Sequence, residues 1–326
     1  MNMNRLAAIV VSLMLAAFVL PAHATLNIFA TVPEWGALAQ EIGGDKVKIY
    51  NATQGLQDPH HIQAKPSLIA QARAAQLVIA TGAELEIGWL PVVVRESGNA
   101  RIQMGQPGYF EAAPLVILLD VPAVLDRAHG DVHAGGNPHI QTDPRNLLKV
   151  GQALVTRMSE IDPQNAMIYL TNYQVFAEKW RTSIARWEKE AAPLKGVPIL
   201  VQHKAFPYLQ HWLGLKEVGC LEPKPGVEAS SAYLAEIVAR QATQPAKMII
   251  RPAYQYDAPS RWMAERAKIP ALALPFTVGG TPEAKDLFSL YDETIRLLLK
   301  ALQGCFNPQP TSSADCKPAD GKRSTD

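Results

Sequence analysis

Sulfur is scarce in this chain: three cysteines in 326 residues, Cys220, Cys305 and Cys316, with no CxxC pair among them. That excludes zinc-ribbon and thioredoxin-type readings and leaves histidine and carboxylate as the donors for any metal. An excess of one charge sign is also missing. The 31 basic residues stand against 30 acidic ones, without a lysine- or arginine-rich patch, so an electrostatic grip on nucleic acid is not expected. Beyond the N-terminus no apolar run reaches the length of a bilayer span. With 48% hydrophobic and 19% charged residues, disordered, collagen-like and coiled-coil classes fall away, and the length exceeds what one core usually organises, so two domains are expected.

The first 24 residues read as an address. Arg5 supplies a positive start, the 15 residues from Leu6 to Leu20 are apolar except for Ser12, and Ala22-His23-Ala24 has the small-x-small form of a cleavage site. The expectation is a signal peptide over 1–24, cleaved after Ala24, and export to the periplasm. No cysteine follows the apolar run, which speaks against a lipid anchor there. Loss of Arg5 with the leader would balance the formal charges.

The rest alternates strand-like apolar runs with amphipathic helices, the pattern of an α/β sheet with crossover helices. In the first half, strands are expected at Leu26–Thr31, Val47–Asn51 and Leu77–Thr81, with helices at Glu34–Ile42, Lys65–Ala75 and Leu85–Glu96. In the second half, strands at Pro198–Gln202, Glu217–Leu221, Met248–Arg251 and Ala271–Leu274 alternate with helices from Phe206, at Ser230–Arg240, at Pro259–Lys268 and up to Leu302. The fold class is therefore α/β, two similar lobes, each a small mostly parallel sheet with flanking helices.

Between the halves, Pro163 to Ala192 carries no interior glycine or proline, with apolar residues at Ile168, Phe176, Trp180, Ile184 and Trp187. Thirty residues at 1.5 Å each make a connector of about 45 Å. The expected organisation is a lobe over 25–160, a long connecting helix over 161–195, a second lobe over 196–303, and a polar tail over 304–326.

Of the eight histidines, His60, His61, His139 and His203 fall where a strand gives way to a loop or helix, the place where open α/β sheets bind ligands. One histidine there is an ordinary surface or core residue; the repetition across both halves points to a metal. Imidazoles with a carboxylate suit Zn²⁺ better than Mg²⁺ or Ca²⁺.

Asp58-Pro59-His60-His61 with Lys65-Pro66-Ser67, then Asn137-Pro138-His139 with Asp143-Pro144, then His203-Lys204-Ala205-Phe206-Pro207-Tyr208-Leu209 resemble, in order, the motifs of the zinc and manganese substrate-binding proteins of bacterial metal ABC transporters, over about residues 26–302. The resemblance implies a protein that holds Zn²⁺, with Mn²⁺ the lesser alternative, between its lobes. It implies His60, His139 and His203 as ligands, with histidine at the third position favouring zinc, and a fourth ligand at Asp286, with Asp292 its rival. His61 has no ligand counterpart. The implied partner is the transporter's membrane permease, with a periplasmic metallochaperone as a second candidate; the chain is expected to act as a monomer.

Two positions depart from the family pattern: Gln141 replaces an aromatic residue, and Lys204 an acidic one. The long acid- and histidine-rich loop of many zinc members shrinks to Asp126–Gly136, where His129, His133 and Asp131 form a candidate auxiliary metal loop, the alternative being a solvated polar loop. An exported zinc hydrolase would also place histidines at strand ends, but no HExxH helix is present and no glutamate adjoins a proposed ligand; no enzymatic activity is expected. In an oxidising compartment Cys305 and Cys316 can close a local disulfide and leave Cys220 free, or Cys220 can pair with a tail cysteine.

Overall fold

The computed structural model describes residues 25–122, 133–224 and 226–304. The leader, most of the short polar loop with His129 and Asp131, and the tail with Cys305 and Cys316 lie outside the described residues. Among the described residues no helix is long and apolar enough to cross a membrane.

Among the described residues, eight parallel strands form two sheets of identical plan. In the first, β1 (Leu26–Ala30), β2 (Val47–Asn51), β3 (Leu77–Ala80) and β4 (Tyr109–Glu111) stand in the order β2-β1-β3-β4. In the second, β5 (Pro198–Val201), β6 (Lys216–Cys220), β7 (Met248–Pro252) and β8 (Ala271–Leu274) stand in the order β6-β5-β7-β8. The strand order reverses beside β1 in one sheet and beside β5 in the other, which opens a crevice at their carboxyl ends. The short β4 went unread in the sequence because Tyr109-Phe110-Glu111 is too brief to show a period.

Both faces of the central strands β1, β3, β5 and β7 are covered, as parallel sheets require. In β1, Ile28 and Ala30 join a central apolar cluster while Phe29 joins an outer one; in β7, Met248 and Ile250 face the centre and Ile249 the outside. The inner faces of the two sheets thus look toward each other across one shared core. The first-lobe helices are α1 (Pro33–Gly43), α2 (Pro66–Ala74), α3 (Leu90–Ser97) and α4 (Pro144–Ile161). The second lobe has α6 (Pro207–Leu213), α7 (Ser231–Arg240), α8 (Ala258–Ala267) and α9 (Leu287–Leu302). Many begin with proline, whose missing N–H costs nothing in a first turn.

The long connector is α5, Ala166–Glu190, with one 3₁₀ turn before it at Pro163–Asn165 and another after it at Ala192–Leu194. It is shorter than the uninterrupted stretch suggested because Asp162 turns the chain sharply. The buried Asp162 carboxylate accepts from Asn165 Nδ2 at 2.8 Å and from the Tyr169 hydroxyl at 2.5 Å. Tyr169 is fully buried, whereas its neighbour Ile168 is 37% exposed. The inward stripe therefore runs Tyr169, Tyr173, Phe176, Trp180, Ile184, Trp187, and the sequence alone put Ile168 in the place that Tyr169 takes. Trp180 meets Phe176, Trp187, Phe288 and Tyr291 at ring-centre distances of 4.9–5.4 Å and donates to Pro144 O at 2.8 Å. Asp292 of α9 accepts from the Trp187 indole and from Arg186, each at 2.6 Å, tying α9 to α5.

Two contacts bring the lobes together at the crevice. Gly55, after β2, lies so close to Gly279, after β8, that a Cβ on Gly55 would sit 2.1 Å from the Gly279 carbonyl carbon. Beside them, the Thr277 hydroxyl donates to the Glu34 carboxylate at the start of α1. Glu34 is 1% exposed, and its other oxygen has no partner. Burial pushes its carboxyl up to about 7, partly offset by the Thr277 hydrogen bond and reinforced by nearby Glu86. A carboxyl whose folded value exceeds its unfolded one holds a proton that the unfolded chain has released, so this group's contribution is full below about pH 4.5 and declines as pH rises toward 7. Glu34→Gln keeps an acceptor for Thr277 without the proton. Relative to the parent, this variant should gain about 1–3 kcal/mol in urea unfolding between pH 5 and pH 8; a difference constant across that range would contradict the assignment.

Candidate metal centre

Three loops at the carboxyl ends of the strands carry the chemistry. The β2–α2 loop holds His60, the long loop after β4 holds His139, and the turn after β5 holds His203. Each offers a ring nitrogen within 4.8 Å of the others, and this is the one group of three or more potential ligands found among the described residues. The ring centres are 5.3 Å apart for His60 and His139, 6.1 Å for His60 and His203, and 6.0 Å for His139 and His203.

The backbone around each ring explains its aim. His60 donates its amide to Asp58 Oδ1 at 3.0 Å, and its Nδ1 lies 2.7 Å from the same oxygen; the Trp89 indole holds Pro59 O at 2.9 Å behind the loop. With a carboxylate accepting at Nδ1, the Nε2 lone pair is left to point inward, and that atom is buried with no partner. His203 is built alike: Nδ1 lies 2.7 Å from Glu222 Oε2, which also accepts from the Gly226 amide at 2.9 Å. Asp58 follows β2 and Glu222 follows β6, the equivalent strand of the other sheet, so each lobe supplies its own orienting carboxylate. Burial alone would raise the Asp58 carboxyl, but the hydrogen bond and charge of His60 outweigh it and hold it below the usual range.

His139 is 1% exposed, its Nδ1 has no partner, and its ring meets Phe276 edge-on at 5.1 Å. Burial first, then the neighbouring His60, His203 and His133, drive its pKa well below the ordinary 6.5, so it is a neutral lone-pair donor. The Asn-Pro-His motif accounts for its position: His139 N donates to Asn137 Oδ1 at 3.0 Å, while Asn137 Nδ2 donates to Lys204 O at 2.8 Å and the Tyr208 hydroxyl donates to Asn137 O at 2.6 Å. Asn137 thus couples the first-lobe histidine to the second-lobe segment that carries His203. Three convergent imidazoles, two with carboxylates behind them, fit a borderline divalent cation with a fourth position left for another donor.

The remaining expected residues go elsewhere. Asp286 is exposed and caps α9: its Oδ1 accepts from Ser289 N at 2.7 Å and the Ser289 hydroxyl returns to the Asp286 backbone N–H, a capping box. The structure does not bring it to the histidines, because the first turn of α9 needs its carboxylate. Asp292 is engaged by Arg186 and Trp187. His61 is exposed, 6.2 Å ring to ring from His60. Of the auxiliary loop, His129 and Asp131 fall outside the described residues, while His133 packs 5.4 Å from His60 and 6.4 Å from His139. Cys220 is a free thiol, pushed up to about 12 by burial. Glu222 went unnoticed in the sequence; its only signal was a carboxylate one residue past the end of a strand run.

The family model "Zinc-uptake complex component A periplasmic" matches residues 28–303. The high-affinity zinc uptake system protein ZnuA of Paracoccus denitrificans is 25% identical over 93% of this chain and 99% of its own length. The manganese ABC transporter substrate-binding lipoprotein PsaA of Streptococcus mitis is 21% identical over 82% of this chain and 85% of its own. A crystal structure of ZnuA superposes with a TM-score of 0.71 at 19% identity, over 85% of this chain and 99% of that one. Zn(II)-bound AdcA of Streptococcus pneumoniae does so at 0.67 and 19% identity, over 86% of this chain and 58% of that longer one. The structural likenesses show the shared fold, and the family match spans both sheets and all three histidine loops: the chain belongs to the zinc-uptake component A family, the substrate-binding proteins of metal ABC transporters.

Proposed function

We propose that this protein captures Zn²⁺ in the periplasm and delivers it to the membrane permease of an ABC transporter. The observation that carries the reading is the convergence of His60, His139 and His203 from both lobes, with buried nitrogens of His60 and His139 left without a partner. An all-imidazole set favours zinc over manganese, which prefers oxygen donors, and the zinc names of ZnuA and AdcA support the same choice, with PsaA the manganese counterexample. The 1–24 leader supports export. Lobes over 25–160 and 196–303 with a rigid 161–195 connector would act as two jaws whose motion is small, and the bound ion would be a bond between them. A monomer, loaded directly or by a periplasmic metallochaperone, suffices for this role. Family membership favours binding over hydrolysis, the competing reading of a three-histidine site.

Alanine at His60, His139 or His203 should each lower zinc affinity at least a hundredfold, whereas His61→Ala should change it less than tenfold. Titration of metal-stripped protein against a chelating indicator measures this; equal losses at His60 and His61 would refute the ligand assignment.

Asp286→Ala should cost about 1 kcal/mol of stability through the lost helix cap and leave zinc affinity within twofold of the parent. A large affinity loss would mean that the carboxylate leaves its cap to join the ion.

Zinc should stabilise the fold by RT ln(1 + [L]/Kd), about 4 kcal/mol at a thousandfold excess over Kd, because the unfolded chain cannot assemble ligands from both lobes. The ion binds deprotonated imidazoles, whose reference pKa is about 6.5, so the stabilisation is full above that value and is lost as protons compete below about pH 6. His139, depressed by burial, keeps its lone pair to lower pH than an exposed imidazole. Calorimetric melting with and without zinc from pH 8 to pH 5 should show the shift shrinking, and a shift independent of pH would exclude a histidine-dominated site.

A further inference from the structure

We propose that His133 is the fourth ligand of the same ion, so that the short loop completes a four-imidazole site. The proposal rests on the three-histidine reading above and goes beyond it in replacing the carboxylate expected before the last helix. A zinc ion sits about 2.0–2.1 Å from an imidazole nitrogen, hence about 3.2 Å from the ring centre, and four rings arranged tetrahedrally around it have centres about 5.2 Å apart. The three accepted rings lie 5.3, 6.0 and 6.1 Å from one another. His133 stands 5.4 Å from His60 and 6.4 Å from His139, the same spacing. Its ring neighbours both His60 and His139 while its nitrogens lie outside the 4.8 Å group, so the His133 side chain must reorient toward the ion.

The backbone that follows His133 is pinned independently of any ion. The Ala134 amide donates to Glu84 Oε2 at 2.9 Å, the Gly136 amide to His133 O at 3.1 Å, and the Asn137 amide to Leu119 O at 2.7 Å. Gly136 adopts φ +114°, and a Cβ there would meet Leu118 Cβ and Leu119 O at 2.9 Å, so only glycine lets the chain pass this close. Glu84 itself sits at φ +65° on the turn after β3, the strand-end crevice of the first sheet. Glu84 is thus a positioning residue: it holds the segment that aims His133 at the triad. Asn137, three residues beyond the Ala134 anchor, already serves His139, so one short stretch carries two imidazoles.

The chemical consequence is selectivity. A fourth neutral nitrogen in place of water or carboxylate removes oxygen from the coordination sphere and favours zinc over the harder Mn²⁺.

The test uses the full mature chain, stripped of metal, as parent, His133→Ala and Glu84→Ala. Each is loaded with one equivalent of Zn²⁺ for X-ray absorption or of Co²⁺ for its visible ligand-field spectrum. The parent should show four nitrogen neighbours. His133→Ala should still bind one ion, with an oxygen replacing one nitrogen, a weakened and shifted cobalt spectrum, and zinc affinity at least tenfold lower, while Mn²⁺ affinity changes much less. Glu84→Ala, which removes no ligand, should shift affinity in the same direction by a smaller factor. One ion bound with an identical spectrum in parent and His133→Ala would overturn the proposal while leaving the three-histidine site standing. A second ion taken up by the parent and lost in His133→Ala, with the first unchanged, would overturn it by assigning His133 to a separate collecting site. Failure of the parent to take up one ion would overturn the three-histidine reading and this proposal with it.

Discussion

Three imidazoles buried side by side impose the constraint on which the rest of the molecule depends. To hold one cation each must offer a lone pair, which a ring protonated at both nitrogens lacks, and each must turn that lone pair to the same point. Asp58 and Glu222 meet the second demand for His60 and His203 by accepting at Nδ1. His139 meets the first by burial, which depresses its pKa. The cleft is therefore poised to gain a cation, and the buried nitrogens without partners measure how incomplete it is alone.

The scaffold joins the two lobes by apolar packing on the side away from the site. The aromatic stack of Phe176, Trp180 and Trp187 with Phe288 and Tyr291 joins α5 to α9 behind the cleft. In front, the join is polar and close: Gly55 on Gly279, Thr277 on Glu34, and Asn137 on Lys204 and Tyr208. The back is held by apolar packing and the front by hydrogen bonds, and polar contacts exchange for water at little net cost whereas the apolar core does not.

The two sheets share strand order and use of strand ends, but they contribute unequally. Lobe one gives His60 and His139 and carries the segment with His133; lobe two gives His203 and the Phe276–Thr277 wall. The asymmetry follows from the loops, since β1–β4 and β5–β8 provide equivalent platforms and only the long segment after β4 has the length to reach across the crevice.

Much of this was written locally in the chain. Short apolar runs announced β1, β2, β3 and most strands of the second lobe, because parallel strands covered on both faces select apolar residues whatever the neighbours are. The motifs around His60, His139 and His203 were legible because each ligand must leave a strand end with a fixed turn before it, and Asp-Pro and Asn-Pro set those turns. Long-range choices were not legible. A carboxylate before a final helix reads equally well as ligand or cap, and only the folded chain shows that the Asp286 carboxylate serves the first turn of α9. Glu222, 19 residues beyond the imidazole it orients, has no local pattern to reveal its partner. Ile168 and Tyr169 are both apolar enough to face inward, and the buried Asp162, which needs a hydroxyl donor, decided for Tyr169. His133 read as part of an auxiliary metal loop or of a solvated one, and only the fold shows its ring beside His60 and His139 from distant segments. Sequence determines which residues want burial and where the chain turns; which donors share one point in space depends on how the two sheets face each other, and no window of neighbouring residues contains that information.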